Sequence, residues 1–281
     1  MNHSLYIRQL EKDTNDMWLE TLGCSSETAY KRAYDDQIEK EFWEKYSLIY
    51  DTIPSLYDYW PKTFDKLVDI IGTQKEVIEF GAGTGKFTLP MALKQKQVTA
   101  IDFSEDMLQK LQCKIGDLTN VHTVHGKIED MENYNVDSIY SVNAIYRISD
   151  MKEAIKKIRS FAREKVVLVW TMQRSKYDEI LNSTNKKGIF RRQEYIHIMN
   201  VLYDLGIDGN LEIMDVHKKI KIDHIQSNYE ELKEIAGNYD LDADYLIDTF
   251  NQRVIEENGI IYYQWFQKVA YIYFDGCASC D

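Results

Sequence analysis

Val77-Ile-Glu-Phe-Gly-Ala-Gly-Thr-Gly-Lys86 predicts a buried strand, a glycine turn and the start of a helix in immediate succession. The glycines stand at 81, 83 and 85, so the third comes four places after the first. A dinucleotide-binding turn has its third glycine five places after the first. This spacing, with the acid Glu79 just before the turn, favours a nucleotide ligand that has no pyrophosphate.

Strands and helices alternate along the hundred residues that follow the glycine turn. Further strands are predicted at 98–102, 121–125, 136–143 and 165–171. Ser104 and Asp150 are predicted to cap the helices between them, and Pro90 predicts a bent or shortened helix directly after the turn. The alternation predicts an α/β fold with a doubly wound, mostly parallel sheet.

The second half of the chain continues this sheet with additions. The pattern predicts a strand over 210–224, acidic helices over 228–237 and 242–257, and a strand pair at 260–266 and 269–274. We interpret 228–257 as a helical insertion that caps the substrate side of the fold. An interface in a homodimer is the alternative.

The residues before the sheet predict a separate helical part. Apolar residues recur at helical spacing between Ile38 and Tyr50, and again after Pro61. We therefore divide the chain into a helical N-terminal extension at 1–74, which we expect to act as a lid, and a ligand-binding domain at 75–281.

Composition limits the classes of partner. The chain of 281 residues has 44% hydrophobic residues and a formal net charge of −12. The negative charge disfavours nucleic acid as a partner. No apolar run reaches the roughly 20 residues that span a bilayer, so we expect a protein that is not in the membrane and is cytoplasmic.

The pair Cys277 and Cys280 is interpreted as an inert tail rather than half of a zinc site, and no metal is expected.

Asp102 stands 21 residues after Gly81, at the end of the second predicted strand. A carboxylate at this spacing can accept hydrogen bonds from both hydroxyls of a ribose. Ligands of doubly wound sheets bind at the carboxyl ends of the strands. The same rule therefore selects the glycine turn, the loop after His125 and the segment Asn143–Arg147.

Two of these segments resemble a known family. The glycine turn with Glu79 matches the E/D-x-G-x-G-x-G loop of class I S-adenosylmethionine-dependent methyltransferases, and Val98-Thr-Ala-Ile-Asp-Phe-Ser-Glu-Asp-Met-Leu108 matches their second-strand motif. The resemblance covers roughly residues 40–172. It implies a Rossmann-like sheet of seven strands with the last strand antiparallel, S-adenosyl-L-methionine as the cofactor, and S-adenosyl-L-homocysteine as the product.

The resemblance also implies roles for particular residues. Those assigned to the cofactor are Tyr46, Tyr50, Glu79, Gly81, Ala82, Gly83, Thr84, Asp102, Phe103, Met107, Lys127, Ile128, Glu129 and Asn143. The family often has an acid where this chain has Lys127, so Glu129, a backbone carbonyl or packing alone would hold the adenine here.

Methyl transfer from a sulfonium depends mainly on alignment, so no conspicuous catalytic motif is expected. We predict Asn143, Tyr146 and Arg147 on the side of a small-molecule acceptor. The alternatives are an NAD-dependent oxidoreductase, disfavoured by the glycine spacing, and a nucleic-acid or protein methyltransferase. A cofactor-binding protein without catalysis is a further alternative.

Overall fold

The structure is a computed structural model, and it describes residues 13–23, 31–32, 34–52, 60–172, 175–184 and 194–277. Of residues 21–23 and 60 only the backbone is described. The described helices are α1 Thr14–Gly23, α2 Asp36–Ser47, α3 Trp60–Ile71, α4 Thr88–Ala92, α5 Glu105–Ile115, α6 Met151–Phe161, α7 Asp178–Leu181, α8 Glu194–Asp204, α9 Ile225–Tyr239 and α10 Ala243–Asn251.

The described strands form one sheet of eight strands in the order β3-β2-β1-β4-β5-β8-β6, with β7 paired to β8. Their bounds are β1 Glu76–Phe80, β2 Gln97–Asp102, β3 Val121–His125, β4 Val136–Val142, β5 Ala162–Thr171, β6 Asn210–Lys221, β7 Val254–Glu257 and β8 Ile260–Asp275. The five strands β1 to β5 are mutually parallel, and β8 runs against both β5 and β6. The prediction of a doubly wound, mostly parallel sheet is confirmed.

Both faces of the sheet are covered. Alternate residues of the strands pack into two hydrophobic clusters, one with α1, α6 and α8 and the other with α3 and α4. This is why β1 and β5 are apolar along most of their length instead of alternating with polar residues. Because both faces of these strands are buried, the carboxyl edge of β1, β2 and β4 is held in place. The glycine turn and the segment Asn143–Arg147 begin at this edge.

Local sequence sets several helix ends as predicted. Met107 donates its backbone N–H to the Ser104 hydroxyl at 3.3 Å, and Glu153 donates its backbone N–H to Asp150 at 3.0 Å. Both bonds satisfy donors that the first turn of a helix leaves free. The helix that contains Pro90 has only five residues, Thr88–Ala92, in agreement with the expected shortening.

The helices of the predicted N-terminal extension have different neighbours. Trp18 of α1 is fully buried in the core and donates its indole N–H to the Ile148 carbonyl at 2.6 Å. Phe64 and Leu67 of α3 belong to the cluster on the other face of the sheet. Of these three helices, only α2 supplies residues to the ligand cavity described below. The lid function therefore remains a prediction for α2 and its flanking residues.

The C-terminal part differs from the prediction in two respects. The expected strand pair at 260–266 and 269–274 is one strand of 16 residues, β8. The end of the expected helix 242–257 is strand β7, which pairs with β8 through a turn in which Asn258 and Gly259 both have positive φ. Such an Asn-Gly pair is the strongest short-range signal for a hairpin. The sheet consequently has eight strands instead of seven.

The long strands carry a second, smaller core beyond the sheet edge. β5 ends at Thr171 opposite Val269, whereas β8 continues back to Ile260, paired with β6 and β7. Residues of α7, α9 and α10 pack onto this extension around Phe250, Tyr263 and Trp265. The part of 228–257 that is helical thus forms a compact cap beside the carboxyl edge of the sheet.

Candidate active site

A cavity of about 600 Å³ opens at the carboxyl edge of the sheet. Its walls come from the glycine loop 81–85, the ends of β2 and β4, the loop after β3, and α2 with its flanking residues. The predicted site residues on its wall are Tyr50, Gly81, Gly83, Asp102, Phe103, Lys127, Ile128, Glu129, Asn143, Tyr146 and Arg147. The structure therefore brings together segments that lie up to about a hundred residues apart in sequence.

The glycine loop requires glycine for two separate reasons. Gly81 has φ +74°, and a Cβ added there would lie 1.9 Å from the Cβ of Ala144. Gly83 has φ +54° and open space around the position of a Cβ, so its backbone is exposed to the cavity. The first glycine permits close packing of two loops, and the second leaves a bare peptide against which a ligand can lie.

Asp102 is fixed by the backbone around it. One carboxylate oxygen accepts the Gly83 N–H at 2.8 Å, and the other accepts the Ser104 N–H at 2.8 Å. Burial raises the pKa of this carboxyl above its ordinary value, and the two backbone bonds oppose that rise. A carboxylate has about four acceptor positions, so each oxygen retains one for a ligand hydroxyl.

The loop after β3 forms the wall beside Asp102. Ile128 is 8% exposed, and Phe103 lies across the same part of the cavity. The ammonium group of Lys127 lies 5.3 Å from the centre of the Phe103 ring and forms an ion pair with Asp36 of α2. Lys127 therefore bridges this wall and α2, and its ammonium group cannot accept a hydrogen bond from a ligand.

Asn143 joins the ends of two strands. It has φ +55°, and its side-chain amide donates to the Thr171 hydroxyl at 2.9 Å while its amide oxygen accepts the Thr171 N–H at 2.8 Å. The reciprocal bonds hold the ends of β4 and β5 together on the cavity wall. The amide thus has a structural role in this arrangement, and its predicted contact with cofactor and acceptor remains a prediction.

Tyr146 and Arg147 contact α2. The Tyr146 hydroxyl donates to Glu39 Oε1 at 2.9 Å. The Arg147 guanidinium donates to Asp36 Oδ1 at 2.9 Å and lies 4.6 Å from the centre of the Phe103 ring. Burial, followed by the charge of Glu39, raises the pKa of the Tyr146 phenol far above its ordinary value, so this hydroxyl stays protonated.

Glu39 is the principal residue of α2 that the sequence did not reveal. Its carboxylate is fully buried and accepts from Arg32 Nε at 2.5 Å, from Trp43 Nε1 at 2.7 Å and from the Tyr146 hydroxyl. Glu39 and Asp36 are three residues apart in the first turn of α2, where acids are usual because they interact favourably with the helix dipole. Nothing in the sequence distinguished them from solvated charges.

Five of the residues predicted to bind the cofactor do not line the cavity: Tyr46, Glu79, Ala82, Thr84 and Met107. Met107 is buried in the packing of α5, and Tyr46 stacks on Phe42 with ring centres 5.2 Å apart. The Thr84 hydroxyl donates to Asp51 at 2.7 Å, just beyond the end of α2. The glycine loop is thereby tied to the lid, and the direct ligand contacts predicted for these residues remain predictions.

Glu79 lies beneath the glycine loop. It is 2% exposed and accepts from the Thr88 hydroxyl at 2.5 Å and from the Tyr140 hydroxyl at 2.9 Å. Burial raises the pKa of this carboxyl to about 8, against the effect of the two hydrogen bonds. Glu79 therefore joins β1, α4 and β4 below the ligand cavity.

The predicted cap at 228–257 supplies none of the described residues of the cavity wall. Its role at the substrate side remains a prediction. Cys277 of the predicted inert tail is exposed, and Cys280 lies outside the described residues. Within the described ranges there is no group of three or more His, Cys, Asp or Glu that could hold a metal ion, and no helix is long and apolar enough to cross a membrane.

Comparison with known proteins identifies the domain around this cavity. Residues 77–165 match the sequence model of a family described as methyltransferase domain. An uncharacterized protein of Haemophilus influenzae is 28% identical over 153 residues, which are 52% of this chain and 55% of that protein. Phosphoethanolamine N-methyltransferase 3 of Arabidopsis thaliana is 28% identical over 148 residues, which are 48% of this chain and 28% of that protein. The chain thus spans about half the length, or less, of these curated relatives.

Solved structures support the same fold. Magnesium protoporphyrin IX methyltransferase of Synechocystis PCC 6803, crystallised with bound SAH, is similar with a TM-score of 0.51 at 13% identity. The similarity covers 85% of this chain and 99% of that one. At this level of identity the comparison shows a shared fold alone.

Proposed function

Residues 77–165 form a methyltransferase domain of the class I S-adenosylmethionine-dependent kind, and we propose that the whole chain transfers a methyl group from S-adenosylmethionine to a small-molecule acceptor. The observation that carries this proposal is the position of Asp102. Its two carboxylate oxygens are held by backbone N–H groups at the wall of a cavity that the bare peptide of Gly83 also lines.

The residues of the cavity fit the cofactor. Asp102 retains acceptor positions for two ribose hydroxyls. Phe103 and Ile128 provide apolar surface for an adenine ring next to that carboxylate. The peptide at Gly83 has no side chain to obstruct the amino-acid part of the cofactor. We assign these contacts as the core of the cofactor site.

When bound, the cofactor supplies a methyl group that leaves its sulfur with the electron pair remaining on sulfur, while a lone pair of the acceptor forms the new bond to carbon. The protein aligns the acceptor with that group and keeps water out. Such positioning can lower a barrier by roughly 7–11 kcal/mol. We assign the alignment to Asn143, Tyr146 and Arg147, which follow β4 on the cavity wall, and the exclusion of water to α2.

A small-molecule acceptor agrees with the dimensions and composition of the site. The lid helix α2 lies against the cavity that contains the proposed cofactor residues and forms ion pairs with Arg147 and Lys127. A lid held this closely over a cavity of about 600 Å³ leaves little room for a polymer. The Arabidopsis relative is named for a small molecule, and the net charge of −12 opposes nucleic acid.

The first experiment is calorimetry with a panel of cofactors. We expect S-adenosylmethionine and S-adenosylhomocysteine to bind at micromolar concentrations and NADH not to bind. Incubation with a methyl-labelled cofactor and a metabolite extract should then label a compound of low molecular mass. Binding of NADH alone, or labelling of co-purified nucleic acid, would contradict the proposal. Cofactor binding without any labelled product would indicate a binding protein without catalysis.

Location and assembly are also proposals. Among the described residues Cys113 and Cys277 are free thiols, which suits a reducing, cytoplasmic environment. We keep a homodimer as the possible assembly. Size-exclusion chromatography with light scattering tests it, and a mass near 33.1 kDa would exclude it.

A further inference from the structure

The lid and the end of β4 enclose a positively charged side chain. The Arg32 guanidinium lies 3.4 Å from the centre of the Phe42 ring, 5.8 Å from that of Trp43 and 5.9 Å from that of Tyr146. Its Nε donates to Glu39, and its Nη2 donates to the Tyr146 hydroxyl at 3.3 Å. We call Glu39, Phe42, Trp43 and Tyr146 the cation cage.

The chemistry of the cation cage suits an organic cation. Aromatic faces attract a positive charge through their quadrupoles, and the attraction is stronger where water is excluded. Glu39 adds a fully buried carboxylate in the same place. A carboxylate that is buried without a compensating charge is strongly unfavourable, so the group beside Glu39 has to be positive.

The cation cage also faces the proposed site of reaction. Glu39, Trp43 and Tyr146 line the cavity that contains Asp102 and Asn143, whereas Arg32 does not line it. Arg32 therefore fills the cage from the side away from the cavity. A ligand that entered from the cavity would meet the same three side chains.

A second cation nearby compensates Glu39 only in part. The Nε of Arg147 lies 3.7 Å from Glu39 Oε1, is buried and makes no hydrogen bond. The Arg147 guanidinium is directed instead to Asp36 and to the Arg32 carbonyl. If Arg32 leaves, Glu39 keeps two neutral donors and the more distant Arg147, and a cation from the ligand restores the ion pair that was lost.

We propose that the cation cage binds an alkylammonium group of the methyl acceptor and that Arg32 occupies it as an intramolecular competitor. This inference rests on the proposed function, because it names the class of acceptor for the same cavity. An acceptor with a positively charged nitrogen displaces Arg32, compensates Glu39 and contacts the rings. A neutral or anionic group of the same size leaves Glu39 with Arg147 as its cation, and Arg147 is also paired with Asp36.

The test is calorimetric titration with propylammonium and with its neutral analogue propan-1-ol, in the absence of cofactor. Arg32→Ala should bind propylammonium at least tenfold more tightly than the wild type, because the competitor is gone. Arg32→Lys keeps the charge and should bind as weakly as the wild type. Adding Glu39→Gln to Arg32→Ala should abolish the gain, and propan-1-ol should bind none of the proteins.

Equal affinity of Arg32→Ala and wild type for propylammonium, or equal binding of the alcohol, overturns the inference. If Arg32→Ala does not fold, Arg32→Gln provides the same comparison with a neutral side chain of similar length. A parallel titration with S-adenosylmethionine separates the two proposals. Normal cofactor binding without a gain for propylammonium refutes the cation cage alone, whereas a gain for propylammonium without cofactor binding refutes the proposed function and leaves the cage as a cation site that is not part of a methyltransferase.

Discussion

The two walls of the ligand cavity are built in different ways. On the sheet side, the glycine loop and Asp102 are held by backbone hydrogen bonds, and Glu79 supports the loop from a buried position. On the lid side, α2 is held by charged side chains that come from other segments, among them Arg147 and Lys127. The strength of hydrogen bonds to buried backbone groups changes little with the salt concentration of the solvent. Ion pairs at an exposed surface become weaker as the salt concentration rises.

This difference indicates separate tasks. The sheet wall is a fixed site, as a cofactor of constant shape requires. For the wall formed by α2, which we predict to be a lid, Asp36 is 55% exposed and its ion pairs are individually weak, so we expect this wall to open. We expect changes to the sheet wall to affect cofactor affinity strongly, and changes to the lid to affect turnover and salt dependence.

The largest effect is expected for Asp102→Ala. Loss of both ribose contacts should weaken S-adenosylmethionine binding by two to three orders of magnitude, since hydrogen bonds to a charged group contribute about 1.5–3 kcal/mol. The measurement is calorimetry, with circular dichroism to show that the fold is retained. Glu105→Ala, an exposed acid three residues away, is the matched control and should bind normally. Unchanged affinity in Asp102→Ala would exclude this carboxylate from the cofactor site.

The second effect concerns the buried support of the sheet wall. The pKa of Glu79 is raised to about 8 in the folded protein, above its value in the unfolded chain. The folded state therefore binds more protons between about pH 4.5 and pH 8, and stability must fall as pH rises through this window. Glu79→Gln removes this dependence and should be more stable than wild type at pH 8 by on the order of a few kcal/mol.

Urea unfolding at pH 5 and at pH 8 measures this effect. The matched control is Glu76→Gln, at an exposed position of the same strand, which should keep the pH dependence of the wild type. A Glu79→Gln protein that lost stability with pH as steeply as wild type would show that Glu79 is ionised when folded.

A moderate effect is expected at the junction of the two walls. Tyr146→Phe removes a donor to Glu39, and Arg147→Ala removes an ion pair to Asp36. Each should lower turnover by roughly tenfold, about 1.4 kcal/mol, while the dissociation constant of the cofactor changes less than about twofold. Tyr134→Phe, which lies against Phe161 away from the cavity, is the control. Full activity in both variants would place the acceptor site elsewhere.

The smallest effect is expected for the contact between lid and glycine loop. Asp51 accepts from the Thr84 hydroxyl and from Lys114, each at 2.7 Å, and its side chain is 44% exposed. Asp51→Asn should weaken cofactor binding by less than about threefold, because exposed ion pairs contribute roughly 0–1 kcal/mol. Repeating the titration in 0.5 M salt should remove the difference. A large effect that persists at high salt would show that this end of the lid is part of the fixed wall.

The fold could be predicted where local pattern and burial agree. The strand-turn-helix around Gly81, the caps Ser104 and Asp150, and the parallel order of the central strands are set by short segments. The C-terminal strands could not be predicted as reliably. Gln267 and Lys268 interrupt the apolar pattern of β8, so the sequence predicts two strands, although both residues pair with β6 in one continuous strand. The sequence pattern predicts helix for β7, although Asn258-Gly259 signals a hairpin.

The candidate site likewise contains residues that could be predicted from the sequence and residues that could not. The sequence placed Gly81, Gly83 and Asp102 on one cavity wall because spacing along a strand-turn-helix motif fixes their relative positions. Glu39 and Arg32 were not found, since their partners Tyr146 and Arg147 lie more than a hundred residues away. An acid in the first turn of a helix has no sequence feature that shows whether it is buried or solvated.

By itself the sequence determined the central parallel strands, the turn and the carboxylate, because these depend on backbone geometry, hydrophobic periodicity and fixed spacing. Only the tertiary structure decided which charges meet across the cavity. It paired Asp36 with Arg147 and Lys127, buried Glu39 beside Arg32, and placed Glu79 under the loop instead of on the cavity wall. Such pairings depend on the distance between side chains after the chain has folded, and that distance is not encoded in any short segment.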